Sequence, residues 1–193
     1  MSGRAILLNA IAYQLVWFAT VLGAGHGLWW AGPLAALAFL TLHLGVFVRD
    51  SGERRRDLAL VAASVTCGLV IDGVLSSSGA IVFAPAAPAL PAGGAPRWML
   101  TLWAAFALTV RHSLSAVTRR PVLAALLGAI GGPLAYLGAA RASGVLAFPE
   151  PRGMTLAMLA AGWCLALGLL AMLASRHAGA SPAARSTLAG GAA

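Results

Sequence analysis

Four polar side chains stand out in a chain whose long stretches are otherwise apolar: Asn9, His43, Arg111 and His112. If each stretch is a membrane helix, all four lie at a similar depth, about one quarter of the way in from the cytoplasm. A guanidinium group binds an anionic group through two parallel hydrogen bonds. The set therefore predicts a site for an anionic headgroup. The alternative is simple anchoring, in which these side chains extend toward the membrane surface.

The first apolar stretch carries a second candidate surface. Asn9, Tyr13 and Trp17 are spaced by four residues, so they share one face of a helix, and Gln14 lies beside that face. Polar groups inside a membrane indicate a functional site, and this surface is predicted to contact the headgroup of a ligand. The alternative is a set of interhelical hydrogen bonds that hold the bundle together, worth about 0.6 to 2 kcal/mol each.

Asp72 is the only acidic residue within a predicted span. An ionised carboxylate there costs at least ~2.5 kcal/mol unless it is paired or protonated. Its candidate partners by depth are Arg97, Arg141 and the hydroxyl of Tyr136. Asp72 with Tyr136 therefore predicts a proton or cation site, or a general acid/base. A structural ion pair or hydrogen bond is the alternative.

No metal and no cofactor is predicted. Two histidines inside a membrane suggest haem or metal ligation, but nothing else in the sequence supports either. Cys67 and Cys164 each lie alone in an apolar run, without the spacing of a zinc site or a disulfide framework. The chain carries no serine-hydrolase, zinc-protease, P-loop or dinucleotide motif. Whether it is an enzyme stays open.

The elements that would position these residues are membrane helices. Of the 193 residues, 60% are hydrophobic and 9% are charged, whereas soluble domains carry about 25% charged residues. A membrane helix needs about 20 mainly apolar residues. The sequence therefore predicts an all-α, polytopic membrane bundle of six helices, at 5–23, 28–48, 58–77, 98–117, 121–140 and 154–174.

The arginines predict the orientation of this bundle. The net charge is +8, but the arginines lie at the ends of apolar runs, which indicates membrane topology and not nucleic-acid binding. With both termini in the cytoplasm, ten arginines lie at the cytoplasmic face, namely Arg4, Arg49, Arg54, Arg55, Arg56, Arg111, Arg119, Arg120, Arg176 and Arg185. Only three, Arg97, Arg141 and Arg152, lie outside. This asymmetry satisfies the positive-inside rule.

Two segments are not predicted to be helical: a loop within the predicted six-helix domain of residues 1–177, and the tail that follows this domain. Residues 78–96 are apolar but contain four prolines, Pro85, Pro88, Pro91 and Pro96, which remove backbone donors and break helices. They predict a Pro/Gly-rich outer loop. Residues 178–193 are rich in Ala, Gly and Ser and predict a disordered tail.

Three segments carry a resemblance to a known family: NAIAYQLVWF from Asn9 to Phe18, WAAFALTVRHSL from Trp103 to Leu114, and GAIGGPLAY from Gly128 to Tyr136. In their order and spacing they resemble the bacterial membrane family catalogued as domain of unknown function 2878. The resemblance implies a multi-pass protein of the bacterial inner membrane and an association with lipid modification. It implies no catalytic residues.

The leading functional hypothesis is a protein that binds or handles a lipid or another hydrophobic molecule, as an accessory to lipid modification. One alternative is a proton-coupled transporter of small solutes that uses Asp72. Another is an intramembrane lipid-modifying enzyme, and a third is a scaffold for a partner membrane enzyme. The expected partners are membrane lipids and such an enzyme, with no nucleic acid. The oligomeric state is left open.

Overall fold

The computed structural model describes residues 3–48, 50–83 and 88–176. The predicted tail 178–193, together with Arg49, Pro85 and Arg185, lies outside these residues. Within them the fold is all-α. The helices are α1 (Gly3–Gly25), α2 (Ala31–Leu42, continued by a π-helical turn His43–Phe47), α3 (Ser51–Ser77), α4 (Arg97–Val110), α5 (Ser115–Thr118), α6 (Pro121–Ser143) and α7 (Arg152–Arg176).

Four of the described helices, α1, α3, α6 and α7, are long and apolar enough to cross a membrane. The segment Ala31–Phe47 and the helix α4 are apolar but shorter. At 1.5 Å per residue, the 14 residues of α4 extend about 21 Å, less than the ~30 Å thickness of the hydrocarbon core. The structure therefore supports four membrane-length helices, and the predicted number of six remains a prediction.

Helix α3 begins at Ser51, earlier than the predicted residue 58. Asp50 is its N-cap and accepts a hydrogen bond of 2.8 Å from the backbone N–H of Glu53. Such a cap satisfies one of the N–H groups that a helix leaves unpaired at its start. The consequence is that Asp57, predicted to be in a loop, lies on the second turn of a helix.

Helix α4 ends at Val110, so the predicted continuous helix over 98–117 is wrong. Residues 111–114 form a turn, and α5 follows. The hydroxyl of Thr118 donates a 2.7 Å hydrogen bond to the backbone carbonyl of Val110. The backbone N–H of Leu114 donates a 2.8 Å hydrogen bond to the backbone carbonyl of Thr109. These bonds satisfy carbonyls that a helix end would leave without a partner.

The core lies around α4, which is buried along nearly its whole length, and around the pair α6 and α7. Two glycines let α6 and α7 pack closely. A Cβ atom on Gly128 would lie 2.3 Å from the carbonyl oxygen of Trp163, and one on Gly132 would lie 2.2 Å from Cγ of the same residue. The glycine pair therefore serves packing within this chain, as small residues do between membrane helices.

The predicted outer loop contains short paired strands. Strand β1 (Val82–Phe83) pairs antiparallel with β4 (Leu146–Ala147), and β2 (Ala89–Leu90) pairs with β3 (Ala95–Pro96). The β1–β4 pair joins the α3–α4 connection to the α6–α7 connection. These bonds satisfy part of the backbone that the prolines keep out of a helix.

Candidate functional site

Asp57 is the centre of a buried polar cluster between α2, α3 and α4. Its side chain is 1% exposed. Arg111 donates a 2.7 Å hydrogen bond from one guanidinium nitrogen to Oδ1. Oδ2 lies 3.0 Å from Nε2 of His112 and 3.4 Å from Nε2 of His43. One buried carboxylate thus contacts two buried imidazoles and one partly exposed guanidinium.

Two irregular backbone segments place these side chains. His43 is the first residue of the π-helical turn that continues α2, and π-helical turns often occur at functional sites. Arg111 and His112 lie in the turn that follows α4. In an unbroken helix, consecutive residues point about 100° apart. The break lets both neighbours reach the same carboxylate, one at each oxygen.

Asn9 of α1 joins this cluster from the other side. Its side-chain nitrogen lies 3.5 Å from Nδ1 of His43 and donates to the carbonyl of Leu108 at 3.3 Å. Its Oδ1 accepts from the backbone N–H of Ser113 at 3.3 Å. The side chain of Asn9 is therefore buried and connects α1 to both ends of the α4 break.

The cluster contains a set of metal-ligand atoms. His43, Asp57 and His112 each offer one ligand atom, all three are buried, and the three atoms lie within 4.8 Å of one another. Imidazole and carboxylate are common ligands of zinc and of non-haem iron. This grouping differs from the sequence-based expectation of no metal site, in which Asp57 was not a candidate.

Asp72 is the centre of a second buried cluster, further along α3. It is fully buried. The indole N–H of Trp103 donates to Oδ2 at 2.7 Å, and the hydroxyl of Tyr136 donates to Oδ1. Among the described residues, no ion pair joins Asp72 to the other predicted partners, Arg97 and Arg141. The hydroxyl of Tyr136 is the predicted partner that the structure brings to it.

Tyr13, Gln14 and Trp17 line a third feature, a cleft of about 460 Å³ between α1, α4, α6 and α7. The opposite wall is formed by residues of α6 and α7, including Gly131, Gly132 and Trp163. The rest of the lining is mainly apolar, with small polar contributions from the α4–α5 region. The cleft is within the 300–1,000 Å³ range of small-molecule sites.

The structure divides the predicted headgroup set between two places. His43, Arg111 and His112 contact Asp57, and Asn9 contacts His43. Tyr13, Gln14 and Trp17 line the cleft. The shared face of Asn9, Tyr13 and Trp17 thus contacts different neighbours along its length. Asp57 was not predicted as a site residue. The Asp50-x-x-Glu53 pattern could have revealed Asp57, because an acidic N-cap followed by Glu marks a helix start.

Comparisons with known proteins place the chain in a family without assigning an activity. No curated protein and no solved structure matched it. A family model did match, over residues 6–169, and its description is protein of unknown function, DUF2878. That range holds both buried clusters and the cleft. The chain therefore belongs to the DUF2878 family, as the three sequence segments indicated.

Proposed function

We propose that this protein binds a lipid or a similar hydrophobic molecule in the cleft between α1, α4, α6 and α7. The observation that carries the proposal is the side chain of Gln14. It is exposed on a mainly apolar helix and lines the cleft. Among the described residues it has no hydrogen-bond partner. A polar group without a partner in hydrocarbon costs several kcal/mol, so a bound polar group at this position would be stabilising.

The depth of the cleft supports a ligand that comes from the bilayer. Gln14, Gly132 and Trp163 are each the twelfth residue of a helix of 23 to 25 residues. The cleft therefore lies at the middle of three membrane-length helices. Its lining includes exposed Leu127 as well as Gln14, so it opens toward the hydrocarbon if these helices span a membrane.

A second donor, which lacks a well-placed acceptor, lies in the opposite wall of the cleft. The buried indole N–H of Trp163 has no acceptor in hydrogen-bond geometry among the described residues. Trp163 also stacks on Trp103, with ring centroids 4.2 Å apart. The amide of Gln14 beside this aromatic surface fits a molecule with a long apolar part and a polar group, such as an acyl or isoprenoid lipid.

The lipid proposal is part of a broader proposal about the membrane and the orientation of the protein. We place the chain in the inner membrane of a bacterium with six spans and both termini in the cytoplasm, because ten arginines against three favour that side. In this orientation the Asp57 cluster is near the cytoplasm, and the cleft is near the middle of the bilayer. A partner enzyme that modifies the bound lipid agrees with the association that the family resemblance implies.

A matched glycine pair on α6 tests the cleft. Gly131 lines it, and a Cβ atom there would meet nothing within 4 Å. Gly138 has the same free space but does not line the cleft. We expect Gly131→Leu to fill the cleft and to remove a lipid that co-purifies with the wild-type protein. Gly138→Leu should retain it. The measurement is native mass spectrometry after gentle extraction, with identification of the lipids released.

The outcomes separate a specific ligand from bulk lipid. One enriched molecule that is lost only in Gly131→Leu supports the proposal and identifies the ligand class. Equal retention by the wild type and both variants would show that the cleft is not where the lipid binds. Gln14→Leu then tests the headgroup contact, and we expect it to weaken binding of a ligand with a polar end more than that of a pure hydrocarbon.

A further inference from the structure

We propose that His43, Asp57 and His112 form a binding site for a divalent first-row transition-metal ion. The site is separate from the lipid cleft and does not depend on it. Its three ligand atoms form a nearly equilateral triangle. The two Nε2 atoms are 3.1 Å apart, and Oδ2 of Asp57 lies 3.0 Å from His112 and 3.4 Å from His43.

This triangle has the size of one face of a metal coordination sphere. In a tetrahedral zinc site with bonds of about 2.0–2.1 Å, neighbouring ligand atoms are about 3.3 Å apart. The observed separations of 3.0, 3.1 and 3.4 Å bracket that distance. An ion placed about 0.9 Å from the plane of the three atoms would lie at bonding distance from all of them.

No arrangement of protons gives a hydrogen bond along all three edges of the triangle. Each Nε2 carries either a proton or a lone pair, and an ionised carboxylate oxygen only accepts. If both nitrogens are protonated, two N–H groups face each other at 3.1 Å. If Nε2 of His112 has the lone pair, it faces the lone pairs of Oδ2 at 3.0 Å. If only Nε2 of His112 is protonated, it can donate to both other atoms, and the lone pairs of Nε2 of His43 and of Oδ2 then face each other at 3.4 Å. One edge of the triangle therefore joins like groups, whereas a cation would attract all three lone pairs.

The groups around the triangle resemble the outer shell of a metal site. Arg111 binds Oδ1 of Asp57, which orients the carboxylate and leaves Oδ2 toward the two imidazoles. Metal ligation by Nε2 of His43 requires its proton on Nδ1, beside the Asn9 side chain. The Asn9 amide must then present its oxygen to that N–H. That rotation turns the amide away from its present partners, the carbonyl of Leu108 and the N–H of Ser113, both at 3.3 Å, so metal binding requires the side chain of Asn9 to shift from both.

The ligand set selects the class of metal. Two imidazoles and one carboxylate suit zinc or iron(II), whereas calcium and magnesium prefer sites made of oxygen atoms. Three protein ligands leave at least one coordination position for water or another molecule. A groove of about 130 Å³ between α1 and α2 is lined by Asn9, His43 and apolar neighbours, so it reaches one of the three ligand residues.

The test uses the full-length protein with an affinity tag that contains no histidine, purified in detergent and freed of metal with a chelator. Zinc is titrated by calorimetry, and cobalt(II) by its visible absorption, which reports coordination geometry. We expect one equivalent of each metal to bind. His43→Ala and His112→Ala should each weaken binding by more than the 10- to 100-fold that loss of an outer-shell partner costs.

His26→Ala is the matched control, because His26 lies at the other end of α1 and bonds the carbonyl of Leu22. It should bind metal as the wild type does. His43→Gln and His112→Gln keep the side-chain bulk if the alanine variants misfold, and zinc should raise the thermal midpoint of the wild type but of neither variant. Binding well below one equivalent in the wild type, or equal binding by wild type and variants, would overturn the proposal.

Discussion

Two buried carboxylates on the same helix have opposite surroundings. Asp57 and Asp72 are fifteen residues apart on α3, about 22 Å along its axis. Asp72 accepts from two neutral donors, the indole of Trp103 and the hydroxyl of Tyr136, one at each oxygen. Asp57 faces a guanidinium and two imidazoles, and both imidazoles crowd the same oxygen.

The contrast shows which cluster is closed and which can accept a further group. At Asp72 the numbers of donors and acceptor atoms match, and the surrounding tryptophans and Met99 leave a cavity of only about 40 Å³. A satisfied buried network of this kind stabilises one arrangement of the helices. At Asp57 no arrangement of protons gives a hydrogen bond along all three edges of the ligand triangle. A ligand-binding role is therefore easier to assign to Asp57 than to Asp72.

The largest effect on stability should come from removing the charge at Asp57. Asp57→Ala in metal-free protein leaves Arg111 without its carboxylate and leaves two imidazoles buried. Loss of one partner of a buried ion pair costs about 3–5 kcal/mol. The free energy of unfolding can be measured by SDS titration in mixed micelles with circular dichroism.

The matched control for that change is Asp50→Ala, which removes an exposed acid at the start of the same helix. Loss of an N-cap costs about 1 kcal/mol. If Asp57→Ala were no more destabilising than Asp50→Ala, the Asp57 cluster would not hold α2, α3 and α4 together.

A smaller loss is expected at Asp72. Tyr136→Phe removes one hydrogen bond to a buried carboxylate, which is worth about 1.5–3 kcal/mol. Tyr13→Phe is the control, because the hydroxyl of Tyr13 donates to neither carboxylate. Tyr136→Phe also tests the hypothesis that the protein is a transporter, once it is reconstituted in liposomes. Unchanged stability combined with loss of pH-dependent solute uptake would assign Asp72 a transport role in place of a structural one.

The packing beneath the Asp72 cluster can be tested with two glycines of α3. A Cβ atom on Gly68 would lie 2.3 Å from the ring of Trp103, whereas one on Gly73 would meet nothing within 4 Å. Overpacking costs about 1–3 kcal/mol, so Gly68→Ala should destabilise the protein and shift the fluorescence of Trp103. Gly73→Ala should be neutral or slightly stabilising, because alanine is the better helix former. Equal effects would show that Trp103 has room to move.

The sequence predicted the long helices better than their ends. Hydropathy predicts α1, α6 and α7 because each is a continuous apolar run, and the same signal extended α4 through Arg111 and His112. Hydropathy carries no information about the hydrogen bond from the hydroxyl of Thr118 to the carbonyl of Val110, which stabilises the turn after α4. The break that assembles the site was therefore not predictable from the apolar pattern.

Asp57 was missed for a related reason. Its neighbours Arg54, Arg55 and Arg56 make a charged segment that is typical of a loop, and only the cap formed by Asp50 extends α3 back through it. The common depth of Asn9, His43, Arg111 and His112 did indicate that they could meet. Their common partner required the register of α3, which a membrane-span prediction does not provide.

The smallest effect is expected at an ion pair outside the bundle, between Glu150 and Arg152. Arg152 donates to Glu150 from its backbone N–H at 3.0 Å and from its side chain at 2.6 Å, and these hydrogen bonds lower the pKa of the carboxyl. When folding lowers the pKa of a carboxyl, the carboxylate stabilises the folded protein at pH values above the pKa of the unfolded state. That stabilisation is lost as the pH falls through the pKa of the folded state. Both side chains are more than 60% exposed, and water and salt screen such pairs. Glu150→Gln should therefore leave the SDS unfolding midpoint unchanged at neutral pH. A loss of stability as large as that of Asp57→Ala would show that burial does not explain why the α3 carboxylates contribute more to stability than an exposed ion pair does.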